Sequence, residues 1–363
     1  MNSSTYTQPT LDLPAVADLF RQTDGPILVL THAKPDGDAF GSVVSLVATL
    51  QQLGKTARGV FVPPLPEALG KLHGADLADV WDENYRLPFE PELFAIVDTG
   101  AWSQVGPLRD LVEPHLDHTV ILDHHLSGDI EAKHRHVVGD AAAACEILAE
   151  LIELLIPACV PPQGGPATGR RDGDVSGYTP LPETIREALF VGIASDTGWF
   201  RFSNVRPQTH ELAAKLIRQG VDHADLYSRL EQGERPEKLA LLTRALQNMT
   251  VHAHGTAAVM VLRQQDFIDT GARPEETERL IDTPQMVGAL QVFVVLTEAE
   301  GSDGQPQTRM SFRSKHTTDD SAINVAALAN RFGGGGHARA AGAKVDRPVD
   351  EVLAELSGIL ADL

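Results

Sequence analysis

Five aspartates and three histidines fall in short clusters that suit a metal centre. His32, Asp36 and Asp38 stand in residues 31–42 (THAKPDGDAFGS), Asp98 in VDT, Asp123, His124 and His125 in one run, and Asp196 in SDTGWF. Carboxylate and imidazole together are ligands for Mn²⁺ and similar ions. Two such ions held ~3.5–4 Å apart turn a shared water into hydroxide at neutral pH. They need a bridging carboxylate and enough negative charge to offset their own, and this set supplies both. Each motif alone has a plainer reading. An Asp at a strand end usually caps a helix or closes a turn, and Asp38 alone could do so. Four motifs at the ends of successive elements are hard to obtain that way.

The elements around these residues explain how they could meet. Residues 26–31 (PILVLT) read as a buried strand, and 38–53 as a helix with one apolar face. Pro35 and Gly37 tighten the loop between them. Residues 57–62, 93–98 (LFAIVD) and 119–123 (TVILD) read as further strands. Strands alternating with helices predict an α/β fold with a doubly wound parallel sheet. The ligand crevice of such a sheet lies beyond the carboxyl ends of its strands, where these motifs fall.

Residues 141–156 predict an amphipathic helix. A Pro- and Gly-rich segment follows (PPQGGPATGRRDGDVSG, 161–177), too polar to pack and expected to be a flexible insertion. Helical periodicity returns at 182–195, 209–219 and 221–248. The pattern then changes, to strands at 251–263, 291–299 and 308–314 and helices at 322–331 and 349–360. The expected division is a first domain over 1–220 with the insertion at about 161–179, a helical linker over 221–244, and a smaller α+β domain over 245–363.

A second constellation lies in that smaller domain. Gly333, Gly334, Gly335, Gly336 and His337 follow a helix ending near Arg331, and ARAAG follows at once. Four successive glycines cost backbone entropy. They are expected not for packing but to let backbone N–H groups approach an anion. His337 and Arg339 add polar and charged contacts, and Arg313 in SFRS offers a bidentate phosphate partner.

The formal net charge is −20, which argues against tracking along long nucleic acid. Two cysteines, Cys145 and Cys159, with no CxxC suit a reducing compartment. No apolar run reaches the ~18 residues of a membrane span. The expected location is the cytoplasm, without membrane association and with the first ten residues frayed.

The segments His32-x-x-Pro35-Asp36-Gly37-Asp38, Val97-Asp98-Thr99, Asp123-His124-His125 and Asp196-Thr197-Gly198 resemble the four motifs of the DHH phosphoesterase superfamily. GGGGH resembles the motif of its associated C-terminal domain. Domain order and the helical connection resemble the nanoRNase/pAp phosphatase group best. The resemblance implies an active site in the interdomain cleft. One ion would be held by His32, Asp36 and Asp98, the other by Asp38, Asp98, His124 and Asp196, with Asp98 as the bridge and manganese as the ion. Asp123 would orient the histidine pair. His125 would face the substrate phosphate as hydrogen-bond donor or general acid. Gly334, Gly335, Gly336 and His337 would contact substrate, with Arg313, Asn324 and Arg339 beside them.

The implied activity is hydrolysis of very short RNA or DNA oligonucleotides and of pAp, with the reach from glycine pocket to metals acting as a ruler. A homodimer is the implied assembly. A cyclic- or linear-dinucleotide phosphodiesterase uses the same chemistry. A RecJ-type exonuclease is disfavoured by charge and by the lack of a further nucleic-acid-binding domain. A family II pyrophosphatase is disfavoured by the glycine pocket, and a non-catalytic nucleotide sensor by the complete ligand set. Arg201, close behind Asp196, is a further residue that could reach the site.

Overall fold

The computed structural model describes residues 4–5, 10–157, 179–301, 304–315 and 323–361. Cys159, residues 6–9, position 322 and most of the expected insertion, 161–178, lie outside them. The chain divides into two compact units, 1–233 and 234–363.

The first unit is built on a six-stranded parallel sheet. Its strand order is Ala78–Val80, Ala57–Phe61, Ile27–Leu30, Leu93–Val97, Thr119–Asp123, His134–Val137. The chain starts in the middle, winds outward through two strands, then returns to the other side of its first strand. That reversal between Ile27–Leu30 and Leu93–Val97 is a topological switch point, where α/β sheets leave a crevice.

Both faces of the sheet are covered, which is why ILVL and LFAIV read as continuous apolar runs. One face carries Val29, Ala95 and Val120 against the helices Leu13–Gln22, Gly37–Gln52, Ala144–Leu155 and Glu183–Asp196. The other carries Leu28, Leu30, Phe94 and Ile121 against Val105, Leu108 and Val112. The Gly37–Gln52 and Glu183–Asp196 helices touch through their backbones. A Cβ on Gly41 would stand 2.3 Å from the carbonyl oxygen of Ala188. This approach brings Asp38, on one helix, beside Asp196, on the other.

The helix expected over 221–248 is two helices, His223–Glu231 and Pro236–Gln247. Gly233 and Pro236 break it, since proline is accepted in a first turn but not inside a helix. The expected linker is thus divided between the two units. The strand expected over 251–263 is also split, into Thr250–His252 and Ala257–Leu262, which pair antiparallel. Ala253 and His254 turn the chain there with φ of +50° and +54°.

The second unit has a six-stranded mixed sheet, in the order Gly335–His337, Ala340–Val345, Pro306–Ser314, Val292–Glu300, Ala257–Leu262, Thr250–His252. The helices Val325–Asn330 and Val349–Ala361 pack on one face through Val325, Leu328, Val352 and Leu356. Among the described residues no helix is long and apolar enough to cross a membrane.

Candidate metal centre

His32, Asp36 and Asp38 follow the central strand Ile27–Leu30, and Asp98 follows its neighbour Leu93–Val97, so the two sides of the switch point supply the first ligands. Asp36 N-caps the Gly37–Gln52 helix, its Oδ1 accepting from Asp38 N at 3.0 Å and Ala39 N at 3.1 Å. Asp38 is fully buried in the first turn of that helix. Its carboxylate meets the start of another helix: Ala144 N donates to Oδ2 at 2.6 Å and Cys145 N to Oδ1 at 3.0 Å. Helix N-termini favour negative charge, and these N–H groups have no capping side chain of their own.

Asp98 sits in the left-handed region at φ +59°, a conformation that a non-glycine residue keeps only where its surroundings impose it. It presents one oxygen to each side. Oδ2 lies 3.4 Å from His32 Nε2, and Oδ1 lies 3.4 Å from His124 Nε2. His124 Nε2 also stands 3.3 Å from Asp196 Oδ2 and 4.0 Å from Asp38 Oδ2. His32 Nε2 stands 3.8 Å from Asp36 Oδ1. Two sets result, His32 with Asp36 and Asp98, and Asp38 with His124 and Asp196. Within each, the ligand atoms lie within 4.8 Å of one another.

The imidazoles are oriented as metal ligands are. His32 Nδ1 faces the carbonyl oxygen of Ala33 at 3.0 Å, and His124 Nδ1 faces that of Ala141 at 3.2 Å. Each Nδ1–H therefore donates to backbone, leaving an Nε2 lone pair turned to the carboxylates. His124 Nε2 and Asp98 Oδ1 are buried and, among the described residues, have no hydrogen-bond partner. Buried polar atoms seldom lack a partner, and a cation between them accounts for both.

The electrostatics agree. Burial, then the charges of Asp98 and Asp196, push the Asp38 carboxyl well above its ordinary range. Burial, then Asp98, push Asp196 up to about 7. Burial opposes charge on the imidazoles, yet Asp36 and Asp98 raise His32 to about 11, and Asp98, Asp38 and Asp196 raise His124 to about 10. Burial acts upward on Asp98 as well, but the imidazoles of His124 and His32 outweigh it and hold Asp98 low. The carboxylates demand positive charge at this point, and these residues fit a divalent cation.

Asp123 and His125 flank the cluster. Asp123 is fully buried, and its Oδ1 accepts from His125 N at 3.1 Å and lies 2.9 Å from His125 Nδ1. This bond, more than the opposing burial, raises the His125 pKa above that of an ordinary histidine. The His125 side chain is 55% exposed, so the ring can meet a ligand.

In the second unit, Arg313, Ala340 and His337 lie in one register row across three strands. Directly opposed residues share a face, so Arg313 and His337 stand two strand spacings, about 10 Å, apart on one side of the sheet. Gly335–His337 is the exposed edge strand, and such an edge offers unpaired N–H groups. Arg339 is exposed, and its carbonyl accepts from Ser314 N at 3.1 Å.

One expectation needs correction here. The glycines do serve packing. Gly333 takes φ +72° and, with Gly334, closes the preceding helix through bonds to the carbonyls of Asn330 and Ala329. Cβ atoms on Gly334 and Gly336 would strike the carbonyl oxygens of Gly342 and Ala340 at 2.1 and 2.5 Å. Asn324, expected beside the substrate, spends its side-chain oxygen capping the Val325–Asn330 helix. The Ala144 and Cys145 N–H groups on Asp38, by contrast, were not anticipated.

Comparison with known proteins places this arrangement. The model of the DHH family, N-terminal domain, matches residues 26–193, and the DHHA1 domain model matches 255–362. A Thermus thermophilus protein named bifunctional oligoribonuclease and PAP phosphatase NrnA is 30% identical over 336 residues, covering 90% of this chain and 86% of its own length. The Bacillus subtilis protein of the same name is 25% identical over 334 residues, covering 91% and 93%. Among solved structures, an exopolyphosphatase-related protein from Bacteroides fragilis aligns with a TM-score of 0.78 at 20% identity, covering 96% of both chains. The chain belongs to the NrnA family, with a DHH domain followed by a DHHA1 domain.

Proposed function

We propose that this protein is a metal-dependent phosphoesterase that degrades very short oligonucleotides to mononucleotides and removes phosphate from pAp. The observation that carries this reading is the Asp98 carboxylate, with one oxygen turned to His32 and the other to His124. It supports Asp98 as a ligand common to two cations, one completed by His32 and Asp36, the other by Asp38, His124 and Asp196. The names of the Thermus thermophilus and Bacillus subtilis relatives supply the substrates proposed.

When bound, two divalent cations, proposed to be Mn²⁺, would polarise phosphoryl oxygens and make a nucleophile from water at neutral pH. The chain's own residues do the rest. Asp36 and Asp38 are fixed by backbone N–H groups, so little reorganisation is needed to hold charge. Asp123 keeps His125 in one orientation with a proton on Nδ1, leaving Nε2 to meet the phosphate or to deliver a proton to the leaving oxygen. In the second unit, Arg313, His337, Arg339 and the Gly334–Gly336 backbone are the proposed contacts for another phosphate. Asn324 is kept in that set only through its amide nitrogen. The proposed setting is the cytoplasm, where the buried thiol of Cys145 stays reduced.

The test is a product-resolved assay with Mn²⁺ on pAp, a 5′-phosphorylated RNA dinucleotide, a ~5-mer, a ~20-mer and a cyclic dinucleotide, a series spanning one nucleotide to well beyond a few. Fast turnover of pAp and the dinucleotide, fading with length, is expected. Efficient digestion of the ~20-mer, or cleavage of the cyclic substrate alone, would overturn the substrate assignment.

A further inference from the structure

A rigid turn directly behind Asp196 is left unused by the ligand set. Gly198, Trp199 and Phe200 take φ of +54°, +57° and +64° in succession. Two of these are bulky aromatic residues, for which this region is strained. Several contacts hold the strain. Trp199 Nε1 donates to Glu231 Oε1 at 2.9 Å, and its ring stands edge-on to Tyr227 at 4.9 Å between centroids. Phe200 stacks on His210 at 5.4 Å. Arg201 N and Phe202 N both donate to the carbonyl of Thr197, at 2.9 and 3.0 Å. Asn204 Nδ2 donates to the carbonyls of Asp196, at 3.1 Å, and of Ala142, at 3.0 Å. The turn is thus tied to the backbone of Asp196 and to the segment whose N–H groups hold Asp38.

Arg201 and Phe202 project from this turn. Phe202 is 54% exposed, and the guanidinium carbon of Arg201 lies 5.9 Å from the centre of its ring. Arg201 spends Nε on the carbonyl of Gly198, at 2.6 Å. Among the described residues no carboxylate pairs with its terminal nitrogens. In a chain of net charge −20 that is unexpected on charge grounds alone. Strained backbone persists where the surroundings enforce it, and such positions cluster at ligand sites. A half-exposed phenyl ring beside a guanidinium whose terminal nitrogens meet no carboxylate among the described residues matches a nucleotide, with base on ring and phosphate on fork.

We infer that Arg201 and Phe202 form a nucleotide subsite on the turn that carries Asp196, Phe202 stacking on a base and Arg201 holding a phosphate of the same substrate. This rests on the phosphoesterase reading above and adds to it a base-recognising element within the metal-binding unit. A purely structural role is the competing account, since the Phe202 ring also covers Gly198.

The experiment compares parent, Arg201→Gln and Phe202→Leu with Mn²⁺ on pAp, a 5′-phosphorylated dinucleotide and bis(p-nitrophenyl) phosphate, which has no base. The leucine keeps Gly198 covered. Both variants should raise KM for the nucleotides roughly 5- to 100-fold, the scale of a lost stack or phosphate contact, with kcat nearly unchanged. Phe202→Leu should leave the baseless ester untouched, and Phe202→Tyr should behave as the parent. Unchanged KM, or a loss of kcat shared by the baseless ester, would overturn the subsite and assign a structural role. Should the parent hydrolyse no nucleotide, calorimetric binding of AMP without added metal decides separately. Weaker binding in both variants than in the parent keeps the subsite while the phosphoesterase reading falls. Equal or absent binding removes both.

Discussion

Ala144 N donates to Asp38 Oδ2 at 2.6 Å, joining the first turn of one helix to a carboxylate 106 residues earlier in the chain. Cys145 N holds the other oxygen. The carboxylate serves as a remote N-cap and is fixed before any cation arrives. Asp38→Ala leaves two buried N–H groups unpaired, at about 1–3 kcal/mol for such a loss. Asp38→Asn retains an acceptor and should cost less. Denaturant melts of the metal-free proteins should rank asparagine above alanine in stability, since both remove the buried charge and only asparagine keeps an acceptor. An alanine variant as stable as the asparagine variant would show that these bonds contribute nothing.

Asp123 acts through His125. Asp123→Asn should lower kcat by about 10- to 100-fold, the usual effect of removing the partner that orients a site histidine, with bound metal retained. In a His125→Ala background the same change should do almost nothing, because its target is gone. A full additional loss in the double variant would assign Asp123 a separate role.

Gly41 is required by packing. Gly41→Ala drives a methyl against the carbonyl of Ala188 and should cost about 1–3 kcal/mol, as other overpacked contacts do. The same shift would move Asp38 relative to Asp196, so metal affinity should fall along with the melting temperature. A melting temperature equal to that of the parent would contradict this packing.

Divalent ions should stabilise the fold, because the paired sets exist only in the folded chain. At a hundredfold excess over Kd the gain is about 2.7 kcal/mol for one ion. Scanning calorimetry with Mn²⁺ and with EDTA measures it. Equal melting temperatures in the two conditions would remove the metal centre from the account.

The cluster proposed as a metal centre was legible because its parts are residue types. Histidine and aspartate at the ends of apolar strands are visible as letters, and the switch point then brings His32, Asp36 and Asp98 together. What stayed hidden is written in backbone. No letter marks the N–H groups of Ala144 and Cys145; the one trace is a helix that starts after Ala143 with no side chain able to cap it. The left-handed turn at Asp98 is likewise invisible, since aspartate does not announce it. GGGGH read as an anion cradle, but the sequence could not show that Gly334 and Gly336 must also clear the neighbouring strand. The break at Gly233 and Pro236 was there to be read, and apolar periodicity on either side masked it.

The central claim is that Asp98 serves two cations at once. The direct measurement is the number of Mn²⁺ ions retained per chain after equilibrium dialysis, for the parent and for Asp98→Asn, with turnover of pAp followed on the same samples. Two ions per chain in the parent, fewer in the variant, and a loss of turnover well beyond the ~100-fold of an orienting residue are expected. A variant that keeps both ions and hydrolyses pAp at the parent rate would contradict the account.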